Sequence, residues 1–162
     1  MMYLFIVIGV IVLILIMKLF GSKGKSETIG EAEEDIKQLI ESGSDGHGFI
    51  VLHGASKDMF LQFAKEKNGL ILTCPTENFG NKYASQIVQE LQTLGYADEN
   101  IQQPEADSSY PNYKGMTQDK DFIYANVGHD SKEIIELVKL LFRKVYDYTD
   151  FDKINVQLAV NG

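Results

Sequence analysis

Cysteine is almost missing from this 162-residue chain: Cys74 stands alone, so no intrachain disulfide can form and any folded part must be held by its own apolar core. Within the strand-like run Leu70 to Cys74 that thiol reads as a small buried hydrophobe. Prolines number three, at 75, 104 and 111, and two of them fall in one polar stretch. Charge is missing altogether from Met1 to Met17, and no acidic residue precedes Glu27. Basic residues are outnumbered 15 to 23, for a net charge of −8, which disfavours DNA or RNA as a partner because phosphate counterions must be replaced by lysine and arginine. Catalytic frames are missing too. Ser56, Ser131 and Cys74 sit in no Gly-x-Ser-x-Gly elbow, and the glycines of Gly43 to Gly54 have neither a phosphate loop's Gly-Lys-Ser/Thr ending nor dinucleotide spacing. The expectation is a protein without catalytic residues or cofactor.

What the first segment does have is an aliphatic and aromatic run. As a helix, Met1 to Phe20 would reach about 30 Å, roughly a bilayer's hydrocarbon thickness. No basic residue precedes the run and no small-x-small cleavage site follows it, so it reads as a retained span over residues 1–20 rather than a removed signal. Lys18, Lys23 and Lys25 flank one side only, which places the amino terminus outside and the remaining chain in the cytoplasm.

From Glu27 onward twelve basic residues meet 23 acidic ones, a net charge of −11 against +3 for the anchor and linker. Lys18 to Ser26 reads as juxtamembrane linker, and residues 21–44 as that linker plus a short acidic helix, opened by a capping-box pattern at Thr28 and Glu31 and striped by Ile29, Ile36, Leu39 and Ile40. Residues 45–162 are left for one soluble domain. Its expected strands are Phe49 to His53, Met59 to Ala64 and Leu70 to Cys74, with Asn68-Gly69 as a tight hairpin. A helix Tyr83 to Leu94 follows, closed by Gly95 with Tyr96 as its apolar contact. Ala97 to Gln118 reads as a long polar loop, Asp121 to Val127 as a strand, and Ser131 onward as an apolar helix capped by Asp130. Ile154 to Val160 reads as a weak terminal strand or extended tail. The fold class is α+β, an antiparallel meander packed by two or three helices in the order helix-β-β-β-helix-β-helix, behind a single transmembrane helix.

His47, His53 and Cys74 are the one set that could be imagined around a metal, but their spacing matches no zinc pattern and no metal is expected. Tyrosine in a polar loop is a different signal, since its ring is rigid and its hydroxyl tolerates water. Tyr110 and Tyr113 are therefore candidate anchors for a protein partner, with Glu105, Asp107 and Asp119 steering a basic surface; the alternative surface is the sheet side around Phe60 and Gln62.

Phe60-Leu61-Gln62-Phe63, the strand through Leu72, the Leu-Gly-aromatic ending of Leu91 to Tyr96, the unit Phe122 to Tyr146 and the pair Asn112-Tyr113 together resemble the type III secretion chaperone-like domains called TY-Chap, over Phe49 to Leu158. The resemblance implies a small non-enzymatic domain that binds another protein, as chaperone, escort or toxin-immunity module. The expected function is thus a membrane-anchored protein-binding module with a basic toxin or secreted substrate as partner, the bilayer held through residues 1–20, and no nucleic acid. A structural or assembly subunit of a membrane complex is the alternative, and an enzyme of unknown type the third.

Overall fold

Alternating apolar residues pair into one sheet in the computed structural model, which describes residues 24–56, 58–67, 69–98 and 115–161. Among the described residues the strands are β1 (Lys25–Thr28), β2 (Phe49–His53), β3 (Phe60–Glu66), β4 (Gly69–Pro75), β5 (Ala97–Asp98), β6 (Gly115–Gln118), β7 (Phe122–Gly128) and β8 (Lys153–Ala159). The helices are α1 (Ala32–Ser42), α2 (Ala84–Thr93) and α3 (Ser131–Tyr146). Sheet order is β1-β8-β2-β3-β4-β7-β6-β5, every neighbouring pair being antiparallel except β5 with β6. The class is α+β, with the expected meander at β2-β3-β4. The expected span falls on residues outside those described, and among the described residues no helix is long and apolar enough to cross a membrane.

All three helices share one core with one face of the sheet. Ile50, Leu52, Leu61, Phe63, Leu72, Cys74, Ile123 and Val156 meet Ile36 and Leu39 of α1, Ile87 and Leu91 of α2, and Val138, Leu141 and Phe142 of α3. The period of two along each strand turns Val51, Gln62, Thr73 and Tyr124 to the opposite face, outside that core cluster.

Local signals explain where the helices start and stop. Asp130 accepts from the backbone N–H groups of Lys132 (2.9 Å) and Glu133 (3.3 Å), the expected cap of α3. Gly95 adopts φ +88°, with Gly95 N–H bonded to Gln92 O at 3.0 Å and Tyr96 N–H to Leu91 O at 3.1 Å, a Schellman ending for α2. At Thr28 the expected box is only half made: the Glu31 carboxylate accepts from Thr28 N–H (2.7 Å) and Thr28 hydroxyl (2.9 Å), but neither caps α1, which starts one turn later. Thr28 instead ends β1.

Four readings of the sequence need correction. Lys25 and Ser26 are not linker but part of β1, an edge strand recruited by β8. β8 is no tail: it lies between β1 and β2, bonded on both sides, and buries Ile154 and Val156 while Asn155 and Gln157 face the other way. The polar loop Ala97 to Gln118 begins and ends in strands, because Ala97 pairs with Gly115 and Asp98 with Met116. The hairpin also differs, since Glu66 pairs with Gly69, so Gly69 is the first residue of β4 and not the second turn residue.

Two stability predictions arise here. Asp147 ends α3 in the left-handed region at φ 60°, where a side chain crowds its own carbonyl. Asp147→Gly is expected to stabilise by about 0.5–1 kcal/mol, read as a higher melting temperature. Glu27 points to the helix side of β1, its carboxylate buried beside Lys25 and Asp35. Burial raises its pKa, Lys25 only partly opposing this, since the ammonium is exposed, and Asp35 adds to the rise. A raised carboxyl gives stability that is fully present below the unfolded pKa and lost as pH climbs through the folded one. Glu27→Gln is therefore expected to melt higher than the parent at pH 7 and to lose that advantage near pH 4.

Candidate functional site

Two loops meet at one end of the sheet's midline. The β4–α2 connection, Thr76 to Asn81, is stitched to the β6–β7 turn by three bonds: Thr76 Oγ1 to Lys120 O (2.8 Å), Asn78 Nδ2 to Lys120 O (2.8 Å) and Thr76 N–H to Asp121 O (2.9 Å). Asn81, buried, donates to Pro75 O at 2.9 Å and accepts from Tyr83 N–H at 3.1 Å, which holds the loop's far end against α2. The turn is equally fixed. Asp119 accepts from the N–H groups of Asp121 and Phe122, each at 2.7 Å. That is the mechanism by which Asp favours turns.

Phe79 stands on this stitched pair with 56% of its surface exposed. Its ring lies 5.4 Å from Phe122, which lies 6.2 Å from Tyr124, so an aromatic series runs from solvent to buried residues on the helix-free face of the sheet. The same two loops carry Glu77, Asp119 and Asp121, together with Lys120. Burial, with the charges of Asp119 and Asp121, raises the Tyr124 pKa and keeps that phenol protonated. An exposed aromatic on two mutually bonded loops with more acidic than basic residues suits the docking of a protein surface.

Among the sequence-derived candidates, Asp119 is in this cluster, where it orders the turn while its charge stays exposed. Tyr110, Tyr113, Glu105 and Asp107 lie outside the described residues, in the segment joining β5 to β6 at the sheet's edge. Gln62, taken as part of an exposed sheet side, is buried; Phe60 is half-buried, 5.8 Å from the His53 ring. Phe79 was missed because an aromatic after Glu-Asn reads as loop filler, and only the approach of Phe122 from a distant strand gives it a platform.

The other chemistry-bearing residues do not assemble. His53 faces the helix-free side, and burial lowers its pKa, whereas Cys74 faces the helices, its thiol pushed up by burial to about 12. The two are on opposite sides of the sheet, and among the described residues no group of His, Cys, Asp or Glu could hold a metal. A groove of about 710 Å³ lies between the end of α2 and the start of α3, lined by Tyr96, His129, Lys132, Glu133 and Glu136. Burial and the Glu133 charge raise the Tyr96 pKa to about 12, so its phenol stays protonated near neutral pH. Among the described lining residues there is no serine, threonine or cysteine. No family model matches the chain, and neither a curated protein nor a solved structure matches it.

Proposed function

We propose that this chain is a membrane-anchored, non-enzymatic protein-binding module of chaperone-like or toxin-immunity type, held by residues 1–20 with the amino terminus outside and the acidic domain in the cytoplasm. The carrying observation is Phe79, exposed on two mutually bonded loops that also carry Glu77, Asp119 and Asp121. Such a surface offers one exposed aromatic for a partner to bury, with three acids and Lys120 on the same loops, and the net negative charge favours a basic protein. Tyr110 and Tyr113, between β5 and β6, extend the same reading as further anchors, and the resemblance to TY-Chap domains belongs to it as well.

Its test uses the full chain in lipid nanodiscs as bait, with captured proteins identified by mass spectrometry and their affinity then measured at two salt concentrations. Phe79→Ala is expected to weaken binding by about 2 kcal/mol, roughly thirtyfold. Asp119→Asn keeps the oxygen that orders the turn and removes the charge, so it should slow association and flatten its salt dependence. A partner bound equally well by the parent, Phe79→Ala, Tyr110→Ala and Tyr113→Ala would sink the reading. The orientation is checked by reporters fused to Gly162: a cytoplasmic fluorophore should light and an export-dependent enzyme stay inactive.

A further inference from the structure

Among the described residues two large apolar side chains are exposed, Phe79 and Phe151. The strand registers bring both to one end of the sheet. Asn155 pairs with His53 and His53 with Phe60; the β3–β4 register, with Gln62 opposite Thr73, sets Phe60 level with Pro75, which pairs with Phe122. From this row the chain leaves β4 and reaches Phe79 four residues beyond Pro75, and it enters β8 from Phe151, four residues before Asn155. Only β2 and β3 stand between β8 and β4, so the two phenylalanines belong to strands three spacings, about 14 Å, apart.

Phe151 is 89% exposed, yet the turn that carries it is fixed. Thr149 donates to Asp152 Oδ2 through its N–H (2.6 Å) and its hydroxyl (2.8 Å), Asp152 N–H donates to Thr149 O at 3.2 Å, and Arg143 pairs with Asp150 at 2.9 Å. One exposed apolar residue needs no explanation. Two at one sheet end, each on a turn closed by side-chain bonds, are presented with little conformational entropy left to lose on binding. The same end is acidic. Connections 29–31, 54–59, 76–83, 119–121 and 147–152 hold eight acidic residues against three lysines, whereas the described connections at the other end, 43–48, 67, 94–96 and 129–130, hold two acids and one lysine. Like charge opposes a second copy of this chain at that end, and opposes anionic head groups as well. Charge complementarity selects a basic protein. A standard interface of about 800 Å² per partner is roughly 30 Å across, wide enough to take in both rings.

We propose that Phe79 and Phe151 are twin anchors of one docking surface, the acidic end of the sheet, and that a single basic protein buries both. The inference rests on the partner-binding reading of Phe79 and adds to it the α3–β8 turn, which fixes the breadth of the surface and the spacing of the two apolar pockets the partner must offer.

Photo-cross-linking in the full chain tests it. The photo-reactive residue benzoylphenylalanine replaces Phe79, Phe151 or, as a control at the other end of the sheet, Lys67, each in cells of the native host, and the adducts are identified by mass spectrometry. Positions 79 and 151 should trap the same protein, of net positive charge, and position 67 should not. With that protein purified, Phe151→Ala should bind it about tenfold more weakly or worse while melting with the parent, because the deleted ring is exposed. Phe79→Ala and Phe151→Ala combined should lose the product of the two single factors, since sites this far apart act independently. An adduct from position 79 alone, or normal affinity of Phe151→Ala beside a weakened Phe79→Ala, overturns this proposal and leaves the Phe79 reading standing. Adducts from neither position overturn both. The proposal also falls if position 151 alone reacts, if the two positions trap different proteins, if position 67 traps the same one, or if the adduct is an acidic protein, a second copy of this chain or a lipid.

Discussion

Phe142→Ala is expected to cost about 4 kcal/mol and to leave much of the protein unfolded at 37 °C, read by chemical denaturation. Phe142 is fully buried near the C-terminal end of α3. Its ring meets Tyr146 edge-on at 5.1 Å and Tyr148 at 5.2 Å, and Tyr146 in turn meets Tyr83 of the α2 cap at 5.0 Å. The Tyr146 hydroxyl donates to Phe60 O at 3.0 Å, and the Tyr148 hydroxyl accepts from Ala55 N–H, so the two phenols tie the end of α3 to β3 and to the β2–β3 connection. Removing the ring opens a cavity that Leu and Ile neighbours cannot fill without shifting α3, and it loosens both phenol contacts. Phe142→Leu keeps most of the volume and should lose less than half as much. Equal losses for the two variants would mean that ring geometry, rather than volume, holds this corner.

The legible parts of the fold were those written in local chemistry. Asp130 and Gly95 announce helix ends through one side chain and one φ angle, and both lie where that chemistry puts them. The meander β2-β3-β4 followed from continuous apolar runs separated by short polar breaks. Illegible were the elements that owe their state to a remote partner. β1 holds two polar residues and one buried acid among four, and is a strand only because β8 offers it a ladder. β8 carries apolar residues on one face alone, which reads as weakness until the pairing with both β1 and β2 is seen. The candidate site divides the same way: Asp119 stood out as an acid in a polar stretch, whereas Phe79 gains meaning only from Phe122 beneath it.

Gly69→Ala is expected to be the most damaging of the single-methyl changes, at about 3 kcal/mol or more, although Asn68-Gly69 looked like an ordinary tight turn. Gly69 pairs with Glu66 at the start of β4 and holds φ +141°, a conformation that L side chains rarely adopt. Its α-carbon lies against Gly128 at the end of β7, where a bulge shifts the register between Leu70 and Ile71. A Cβ added there would sit 2.6 Å from the Gly128 carbonyl carbon and closer still to its oxygen, and backbone cannot swing aside as a side-chain tip can. Both the strain and the clash fall on the β4–β7 pair that carries Leu72 against Ala125 and Cys74 against Ile123, so the loss should reach the core and not remain in the turn. Gly80→Ala is the control: φ is +81°, nothing lies within 4 Å of an added Cβ, and the cost should stay near 1 kcal/mol from the left-handed backbone alone. If the two variants melt together, the approach of Gly69 to Gly128 contributes nothing and the register at the bulge is set by the side chains of Leu70 and Ile71 instead.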